Sequence, residues 1–442
     1  MTKSTPRTQS RTQSRTQSQS RTAARAAAPL LGVRALNRAT LDRQLLLRRS
    51  GELSVEDAVA HLVGLQAQNV KPPYYALAAR LAGFDPAELS ALLESRRLVR
   101  IVTLRSTIHL HTADDARTLR PLVQEARQRE LTAFRVGLAG VDLAVLARVA
   151  REAVEAEPRT MKQLRELLHV RWPDADPQSL AVAARCTLPL VQVTPRGLWR
   201  RSGQVALTTL ERWLGEPELG ASELGEPEPG ARPSGGGAQG LSDSARIDAQ
   251  RDSAVLRYLA AFGPASVKDL QTWARLTRMR DVFERLRPRL RTFRDENGVE
   301  LFDLPDAPRP DADTPAPARF LPEYDNLLLS HADRSRVVPA EYKGRTWEGN
   351  QPYCVFLLDG FLAGVWRLRE DAKAGTATLT IEPFGKLSRA QRDELTEEAE
   401  RMVTSSSSPG SSRSSSPSPS SSPSSSPDSF SYDIRFGSVR RT

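Results

Sequence analysis

Two glutamines separated by a single residue, Gln66 and Gln68, are the first side chains whose type and spacing suggest chemistry. An amide is uncharged, yet its carbonyl oxygen accepts hydrogen bonds and can orient a water molecule. On a regular helix, residues i and i+2 point about 200° apart, so the two amides would not converge. Pro72 and Pro73 favour a break in the helix, and an extended turn would let both amides face one cavity. The helical periodicity of the sequence alone favours the interpretation that both glutamines are simply exposed polar residues.

Two histidines form a second candidate pair. His109 and His111 lie two residues apart on a predicted strand, so they share one face. Without a cysteine, an aspartate or a third histidine in the motif, metal binding is weakly supported, and packing or hydrogen bonding is favoured. The sequence has no G-x-S-x-G, Walker loop or dinucleotide fingerprint. We therefore predict neither a metal nor a cofactor.

Arginines cluster at three places that are predicted to be helix or hairpin surfaces. Guanidinium groups there are suited to phosphate contacts, which favours a nucleic-acid partner. Any single cluster is equally well explained as a solvated surface. Three clusters at such positions together favour nucleic-acid binding over that explanation. The clusters are Arg96, Arg97, Arg100 and Arg105; Arg196, Arg200 and Arg201 around Trp199; and Arg275, Arg278, Arg280, Arg285, Arg287, Arg289 and Arg291.

The predicted elements repeat the order of several helices followed by a β-hairpin, which is the winged-helix layout. The hairpins are predicted at residues 98–112 with a turn near Arg105 and Ser106, at 191–201 with a Pro-Arg-Gly turn, and around the Asn297-Gly298 turn signal. An alternating pattern with an Asp359-Gly360 turn follows. We predict an α+β chain of three tandem winged-helix domains, at residues 29–138, 139–214 and 246–310, followed by a small C-terminal β-sheet or barrel-like domain at 311–403.

Three segments have compositions that cannot form a core. They are a basic tail at residues 1–28, an acidic Gly/Pro linker at 215–245, and a Ser/Pro-rich insertion at 404–428. Residues 1–28 and 404–428 are predicted to be disordered. Residues 429–442 are predicted to hold a terminal strand, because Tyr432, Ile434 and Phe436 alternate, followed by a short tail.

Charge and cysteine content limit the function classes. The net charge is +10, but six basic residues and no acid lie in residues 1–28. The whole-chain charge is therefore weaker evidence for DNA binding than the local clusters. Two distant cysteines argue against a disulfide framework and for a reducing cytoplasm. We predict no membrane span and no secretory signal, because no long apolar run and no N-terminal apolar region occur.

Four segments taken together resemble the winged-helix AlkZ/YcaQ-like family of bacterial DNA glycosylases, which excise alkylated bases, including interstrand-crosslinked ones. They are LVGLQAQNVKPPYYALAARL, LVRIVTLRSTIHLHTADD, FLPEYDNLLLSHADRSRVVP and DGFLAGVWRL, and the resemblance spans roughly residues 31–403 plus the terminal strand. The family's catalytic Gln-x-Gln signature corresponds to Gln66 and Gln68. Ser106 stands where the family pattern has glycine.

The resemblance implies a monofunctional glycosylase acting on N7- or N3-alkylated purines in double-stranded DNA, with the two glutamines positioning water. It implies a monomer in the cytoplasm, associated with the nucleoid. The residues predicted to contact DNA are Arg105, Thr107, His109, Arg196, Arg200, Arg201 and Arg285. One alternative is a non-enzymatic winged-helix transcription regulator, which would bind DNA sequence-selectively and release no base. A third is a scaffold whose arginines serve RNA or an acidic partner.

Overall fold

The structure, a computed structural model, describes residues 28–215, 243–349, 351–371, 373–405 and 431–440. The predictions for the basic tail, the acidic linker and the Ser/Pro-rich insertion lie almost wholly outside these residues; the insertion begins later than predicted, because a helix runs to Ser405. The chain divides into two compact units, one formed by Met1–Leu89 with Val255–Thr442 and the other by Ser90–Ala254. Within the described parts, no helix is long and apolar enough to cross a membrane.

The first part of the larger unit is mostly helical. Ser54 caps the second helix by accepting a 3.1 Å hydrogen bond from the Asp57 amide. Pro72 and Pro73 do not end a helix; they occupy the first turn of a new one, where the missing amide hydrogen costs nothing. The elements here are helix α1 (Val33–Arg43), helix α2 (Val55–His61), strand β1 (Leu65–Gln66), helix α3 (Pro72–Ala78) and helix α4 (Pro86–Glu94), which contains the unit boundary.

The smaller unit combines helices with short antiparallel strands. Thr160 and Gln163 form a capping box, and Asp176 caps the helix that begins at Pro177. The elements are β2 (Leu98–Val102), β3 (Ile108–Thr112), α5 (Ala113–Leu122), α6 (Gln124–Glu130), α7 (Leu143–Ala156), β4 (Arg159–Thr160), α8 (Met161–Arg171), α9 (Pro177–Thr187), β5 (Leu190–Gln192), β6 (Ala206–Thr209) and α10 (Leu210–Leu214). Within this unit the strands pair in the order β3-β2-β5-β6-β4.

Helices α7, α8 and α9 enclose the core of the smaller unit, with Leu146, Leu164, Leu168 and Leu180 fully buried. The first predicted hairpin is confirmed, because Leu98 pairs with Thr112 and Val102 with Ile108. The second hairpin was predicted too early in the chain. Strand β5 pairs with residues 206–209 rather than with a strand ending at 201, because the segment after the Pro-Arg-Gly turn forms further turns.

The second part of the larger unit begins with three helices and a hairpin. It then forms a five-stranded sheet, in which the terminal strand runs parallel to its neighbour. The order of the strands in this sheet is Ser431–Phe436, Thr376–Pro383, Phe361–Asp371, Cys354–Leu358 and Arg319–Leu321. The elements are α11 (Asp243–Phe262), α12 (Val267–Ala274), α13 (Arg280–Leu286), β7 (Arg291–Arg294), β8 (Glu300–Asp303), β9 (Arg319–Leu321), α14 (Asn326–Leu329), β10 (Trp347–Glu348), β11 (Gln351–Pro352), β12 (Cys354–Leu358), β13 (Phe361–Asp371), β14 (Thr376–Pro383), α15 (Arg389–Ser405) and β15 (Ser431–Phe436).

The two parts of the larger unit share one core, since Leu41 of α1 packs with Leu321, Val355 and Val365 of the sheet. Hairpins at Asn297-Gly298 and Asp359-Gly360 form as predicted, and so does the terminal strand. The α+β class is confirmed. The division into three winged-helix domains stays a prediction, and the two compact units do not follow the predicted boundaries.

Candidate active site and nucleic-acid interface

The Gln66–Gln68 segment is not helical: Gln66 ends a two-residue strand and Gln68 lies in the bend that follows. Helix α2 ends at His61, and Gly64, with φ of +90°, turns the chain into strand β1. The Asn326 side-chain amide donates to the Gly64 carbonyl at 2.8 Å, which anchors the approach to the segment. Gln66 is buried, at 6% exposure, whereas Gln68 is exposed. The predicted break does occur, but at His61 and not at Pro72 and Pro73, and the expectation that both amides are exposed is wrong for Gln66. Convergence of the two amides on one cavity stays a prediction.

The residues that follow Gln68 are held by two glutamates that the residue patterns did not single out. The Asn69 side-chain amide donates to Glu323 Oε1 at 3.0 Å, and Lys71 Nζ contacts Glu370 Oε2 at 2.5 Å. Glu323 also accepts a 3.0 Å hydrogen bond from Cys354 Sγ through its other oxygen. Two carboxylates thus lie beside the Gln-x-Gln segment. The available signal for Glu323 was its place in the FLPEYDN motif.

Helix α3 gives this region a rigid, apolar support. All seven of its residues are buried, and the Tyr75 ring meets the Trp366 ring edge-on at 5.5 Å. Burial raises the pKa of the Tyr75 hydroxyl, and the charge of Glu370 raises it further. Burial, with the neighbouring Glu323, likewise raises the pKa of the Cys354 thiol well above its usual range. Both groups therefore stay protonated near neutral pH.

Arg105, Thr107 and His109 come together in the smaller unit. His109 Nδ1 lies 3.0 Å from the Thr107 carbonyl oxygen, so this nitrogen carries the hydrogen and donates it. The other ring nitrogen, Nε2, therefore accepts a hydrogen bond from Arg105 Nη2 at 3.2 Å. Burial lowers the pKa of His109 well below its usual value, and the Arg105 charge lowers it further. His109 is thus neutral and orients Arg105, which is half-exposed. Contact of these residues with DNA stays a prediction.

The backbone between the two strands forms a left-handed turn. Arg105 and Ser106 have φ of +53° and +59°, a region that favours glycine, so this turn retains its left-handed form despite the side chain. His111 stacks on His109 with ring centroids 5.5 Å apart, and its Nε2 lies 2.8 Å from the Thr103 hydroxyl. Among the described residues, no group of histidine, cysteine, aspartate and glutamate is suited to holding a metal.

The second arginine cluster lies in the turns between β5 and β6. Arg200 and Arg201 are exposed, whereas Arg196 is half-buried. The Arg200 guanidinium lies 5.9 Å from the Trp199 ring centre, and the Trp199 amide donates to the Ser90 hydroxyl at 3.1 Å. The exposed pair is therefore presented from an anchored turn and suits phosphate contacts.

The third cluster contains two kinds of arginine. Arg285 is exposed at the end of helix α13. Arg287 is half-buried; it pairs with Glu284 at 2.9 Å and with Glu300 at 3.0 Å, and these hydrogen bonds raise its pKa. Arg287 therefore holds the helix to strand β8 rather than facing a phosphate. The exposed members of the cluster are Arg275, Arg278, Arg280, Arg285, Arg289 and Arg291.

In the first cluster, the prediction of a phosphate-binding surface is wrong for Arg100. Its side chain is only 2% exposed, and its Nε donates to Gln192 at 3.1 Å across the paired strands. Arg96 stacks on Trp213, with its guanidinium 4.3 Å from the ring centre, and donates to the Trp213 carbonyl at 2.8 Å. The setting of Arg105 suits an interface, and Arg97 is exposed.

Comparisons with known proteins show to which family the chain belongs. A family model described as "DNA glycosylase AlkZ-like" matches residues 59–404. Among solved structures, Streptomyces sahachiroi DNA glycosylase AlkZ is similar over 91% of this chain and 99% of that chain, with a TM-score of 0.64 at 18% identity, so the likeness concerns the fold. No curated protein matches the chain. Since the family match covers most of its length, the chain belongs to the AlkZ-like DNA glycosylase family.

Proposed function

We propose that this glycosylase hydrolyses the N-glycosidic bond of N7- or N3-alkylated purines in duplex DNA, with Gln66 and Gln68 positioning the attacking water. The observation that carries the proposal is that the Gln-x-Gln segment lies outside any helix and is anchored at both ends. It is held before Gln66 by the 2.8 Å bond from Asn326 to Gly64, and after Gln68 by the 3.0 Å bond from Asn69 to Glu323. Such anchoring suits side chains that must hold a water in one place.

The chemistry of an alkylated purine explains why neutral amides suffice. The base is already cationic, so when the bond between C1′ and N9 breaks, its electron pair neutralises the purine without a general acid. The water oxygen attacks C1′, and its proton leaves to solvent, giving an abasic site and the free base. Amide oxygens orient this water without strengthening ground-state binding of the cationic substrate. Positive charge moves to the sugar in the transition state, and the nearby Glu323 carboxylate, whose donors are uncharged, favours it electrostatically.

The same leaving-group argument extends to an interstrand crosslink made through alkylated purine nitrogens, since each linked purine is cationic. We include such crosslinks in the proposed substrate class. Recognition of the duplex is assigned to Arg105, Thr107 and His109, to Arg196, Arg200 and Arg201, and to Arg285.

The decisive experiment measures free base released from duplex DNA containing N7-methylguanine under single-turnover conditions. Gln66→Ala and Gln68→Ala should each slow release by about 100-fold, the scale for losing a group that positions a reactant. Affinity for the same duplex should stay near the parent value. Gln128→Ala is the matched control, because Gln128 is an exposed amide on helix α6; it should excise at the parent rate.

Release at the parent rate by both glutamine variants would show that the Gln-x-Gln pair is not catalytic. A parent protein that releases no base from any alkylated purine, yet binds one DNA sequence tightly, would instead support the regulator alternative. A crosslinked duplex tested beside the monoadduct decides whether the substrate class includes crosslinks.

A further inference from the structure

A cavity of about 580 Å³ lies in the larger unit beside the loop that carries Glu323. This volume falls within the range of about 300–1,000 Å³ that small-molecule sites occupy. Aromatic and aliphatic side chains form much of its wall, and two cationic side chains also line it. The lining residues that matter here are Tyr324, Leu328, Val338, Trp347, Tyr353, Arg334 and Lys343.

Two aromatic rings form one side of the cavity wall. Tyr324 and Trp347 meet edge-on, with ring centres 6.0 Å apart and an angle of 75° between the planes. Trp347 is 41% exposed, which is unusual for an indole, and it lies on the two-residue strand β10. Exposed aromatic rings of this kind are the platforms on which unpaired nucleobases stack, whatever the base.

The cations of the cavity are available to an anion. Arg334 and Lys343 are both exposed, and in the described ranges no carboxylate lies within ion-pair distance of either. Asp333, which also lines the cavity, accepts hydrogen bonds from the Ser335 amide at 2.9 Å and the Ser335 hydroxyl at 3.0 Å. An aromatic surface with two uncommitted cations matches a nucleotide, which carries a planar base and a phosphate.

The cavity is connected to the Gln-x-Gln segment through two adjacent residues. Glu323 accepts from Asn69, and the next residue, Tyr324, forms part of the cavity wall. Tyr324 has φ of +63°, a conformation that a bulky side chain rarely adopts, so the loop holds its ring against the local backbone preference. The cavity therefore lies within reach of DNA that engages Gln68.

We propose that this cavity binds an unpaired, unmodified nucleotide of the substrate DNA strand, with the base against Trp347 and Tyr324 and the phosphate at Arg334 and Lys343. The ligand is a neutral base, since the same cations disfavour a cationic alkylated purine. The proposal rests on duplex DNA being the substrate and not on the roles of Gln66 and Gln68. It fails separately from the catalytic proposal, because its test uses unmodified DNA and measures no excision.

The test uses the full-length protein and a duplex carrying one unpaired 2-aminopurine, whose fluorescence is quenched by ring stacking. The parent should quench the probe and bind this duplex more tightly than the fully paired one. Trp347→Ala should abolish the quenching and weaken binding by about ten- to 100-fold. Trp347→Phe keeps a ring and should retain both. Arg334→Gln with Lys343→Gln should lower the salt dependence of binding, whereas Arg389→Gln, an exposed arginine on helix α15, should not.

Parent-like quenching and affinity in Trp347→Ala would overturn the proposal. If that variant does not fold, as judged by its melting curve, the Arg334→Gln, Lys343→Gln variant decides, and an unchanged salt dependence overturns it. Free dAMP distinguishes a strand from a loose nucleotide: competition at concentrations as low as those of the oligonucleotide overturns the assignment to a DNA strand, and weak competition supports it.

Discussion

The side-chain amide of Asn69 donates a 3.0 Å hydrogen bond to Glu323, which joins the residue directly after Gln68 to a loop 254 positions later in the chain. The second Glu323 oxygen accepts from the Cys354 thiol, whose pKa is raised well above its usual range, so the thiol keeps its proton. The carboxylate thus has a donor on each oxygen. This arrangement fixes a negative charge beside the segment that the proposed chemistry uses.

Glu323→Gln should slow excision of N7-methylguanine while leaving the fold intact. The amide oxygen can still accept from Asn69, but the charge that favours the cationic sugar is lost. We expect a decrease of roughly tenfold, because a full charge at ~10 Å and an effective dielectric of ~20 contributes ~1.7 kcal/mol. The single-turnover rate is the measurement. Glu341→Gln, at an exposed glutamate, is the control, and equal rates for both variants would contradict the electrostatic role.

Arg285 and Arg287 provide a matched pair for the DNA interface. Arg285→Gln should lower the slope of log affinity against log salt by about 0.9, the value for one phosphate contact on duplex DNA. Arg287→Gln should leave that slope unchanged, because its guanidinium is held by Glu284 and Glu300. Fluorescence anisotropy with a labelled duplex over a salt series measures both. Equal changes in slope for the two variants would show that Arg285 and Arg287 do not differ in their contact with phosphates.

Local signals in the sequence predicted the hairpins well. Asn297-Gly298 and Asp359-Gly360 turn where expected, because a tight turn needs particular backbone angles that few residue pairs adopt easily. The second hairpin was misplaced because turn residues recur after Pro195, and the propensity of a turn does not say how long the loop is. The terminal strand was found from alternation, but its parallel pairing with β14 needs the whole sheet.

The site was only partly predictable, because its partners are remote in sequence. Nothing near Asn69 indicates that Glu323 will meet it. The sequence also did not show whether a given arginine is exposed or buried. Arg100 has the position in its strand that an exposed residue would have, yet tertiary packing buries it against Gln192. A cluster of arginines in the sequence shows how many charged side chains are present. Only the fold determines which of them already pair with other protein groups.

Asp325 should be essential for the stability of the larger unit. It accepts two hydrogen bonds from Arg80, at 2.8 and 2.9 Å, and both side chains are fully buried. Asp325→Asn leaves a buried guanidinium without its counter-charge and should cost about 3–5 kcal/mol of unfolding free energy. Asp393→Asn removes only an exposed contact, 4.0 Å from Arg389, and should cost less than ~0.5 kcal/mol. Urea midpoints measure both, and similar losses would contradict the prediction.

Acid should destabilise the protein through His331. Burial, with the Arg336 charge, lowers the pKa of His331 from 6.5 to about 3. Above pH 6.5 the residue is neutral whether the chain is folded or not and contributes nothing. As the pH falls from 6.5, the unfolded chain binds a proton that the folded chain does not, so stability decreases, by about 2 kcal/mol at pH 5.

Melting temperatures between pH 4.5 and 7.5 measure this effect. The window lies above the titration of the neighbouring Asp269, whose pKa is lowered from 3.8. His331→Asn should melt lower at pH 7.5, because the hydrogen bond from Nε2 to the Phe262 carbonyl is altered. Its melting temperature should depend less steeply on pH than that of the parent. A slope as steep as the parent's would assign the acid sensitivity to other groups.

The basic N-terminal segment should contribute to affinity and not to chemistry. Residues 1–27, which lie outside the described part of the chain, contain six basic residues and no acid. A deletion should stop at residue 27, because the Ala28 carbonyl accepts from Arg294 Nε at 3.1 Å and the Pro29 carbonyl from the Arg294 amide at 3.0 Å. The shortened protein should bind DNA more weakly, with a salt slope smaller by up to ~5 if all six cations meet phosphates. At saturating protein, its single-turnover excision rate should equal that of the full chain. A full-length variant with the six residues changed to glutamine should behave like the deletion, because a tether that acts by charge needs its cations and not its length.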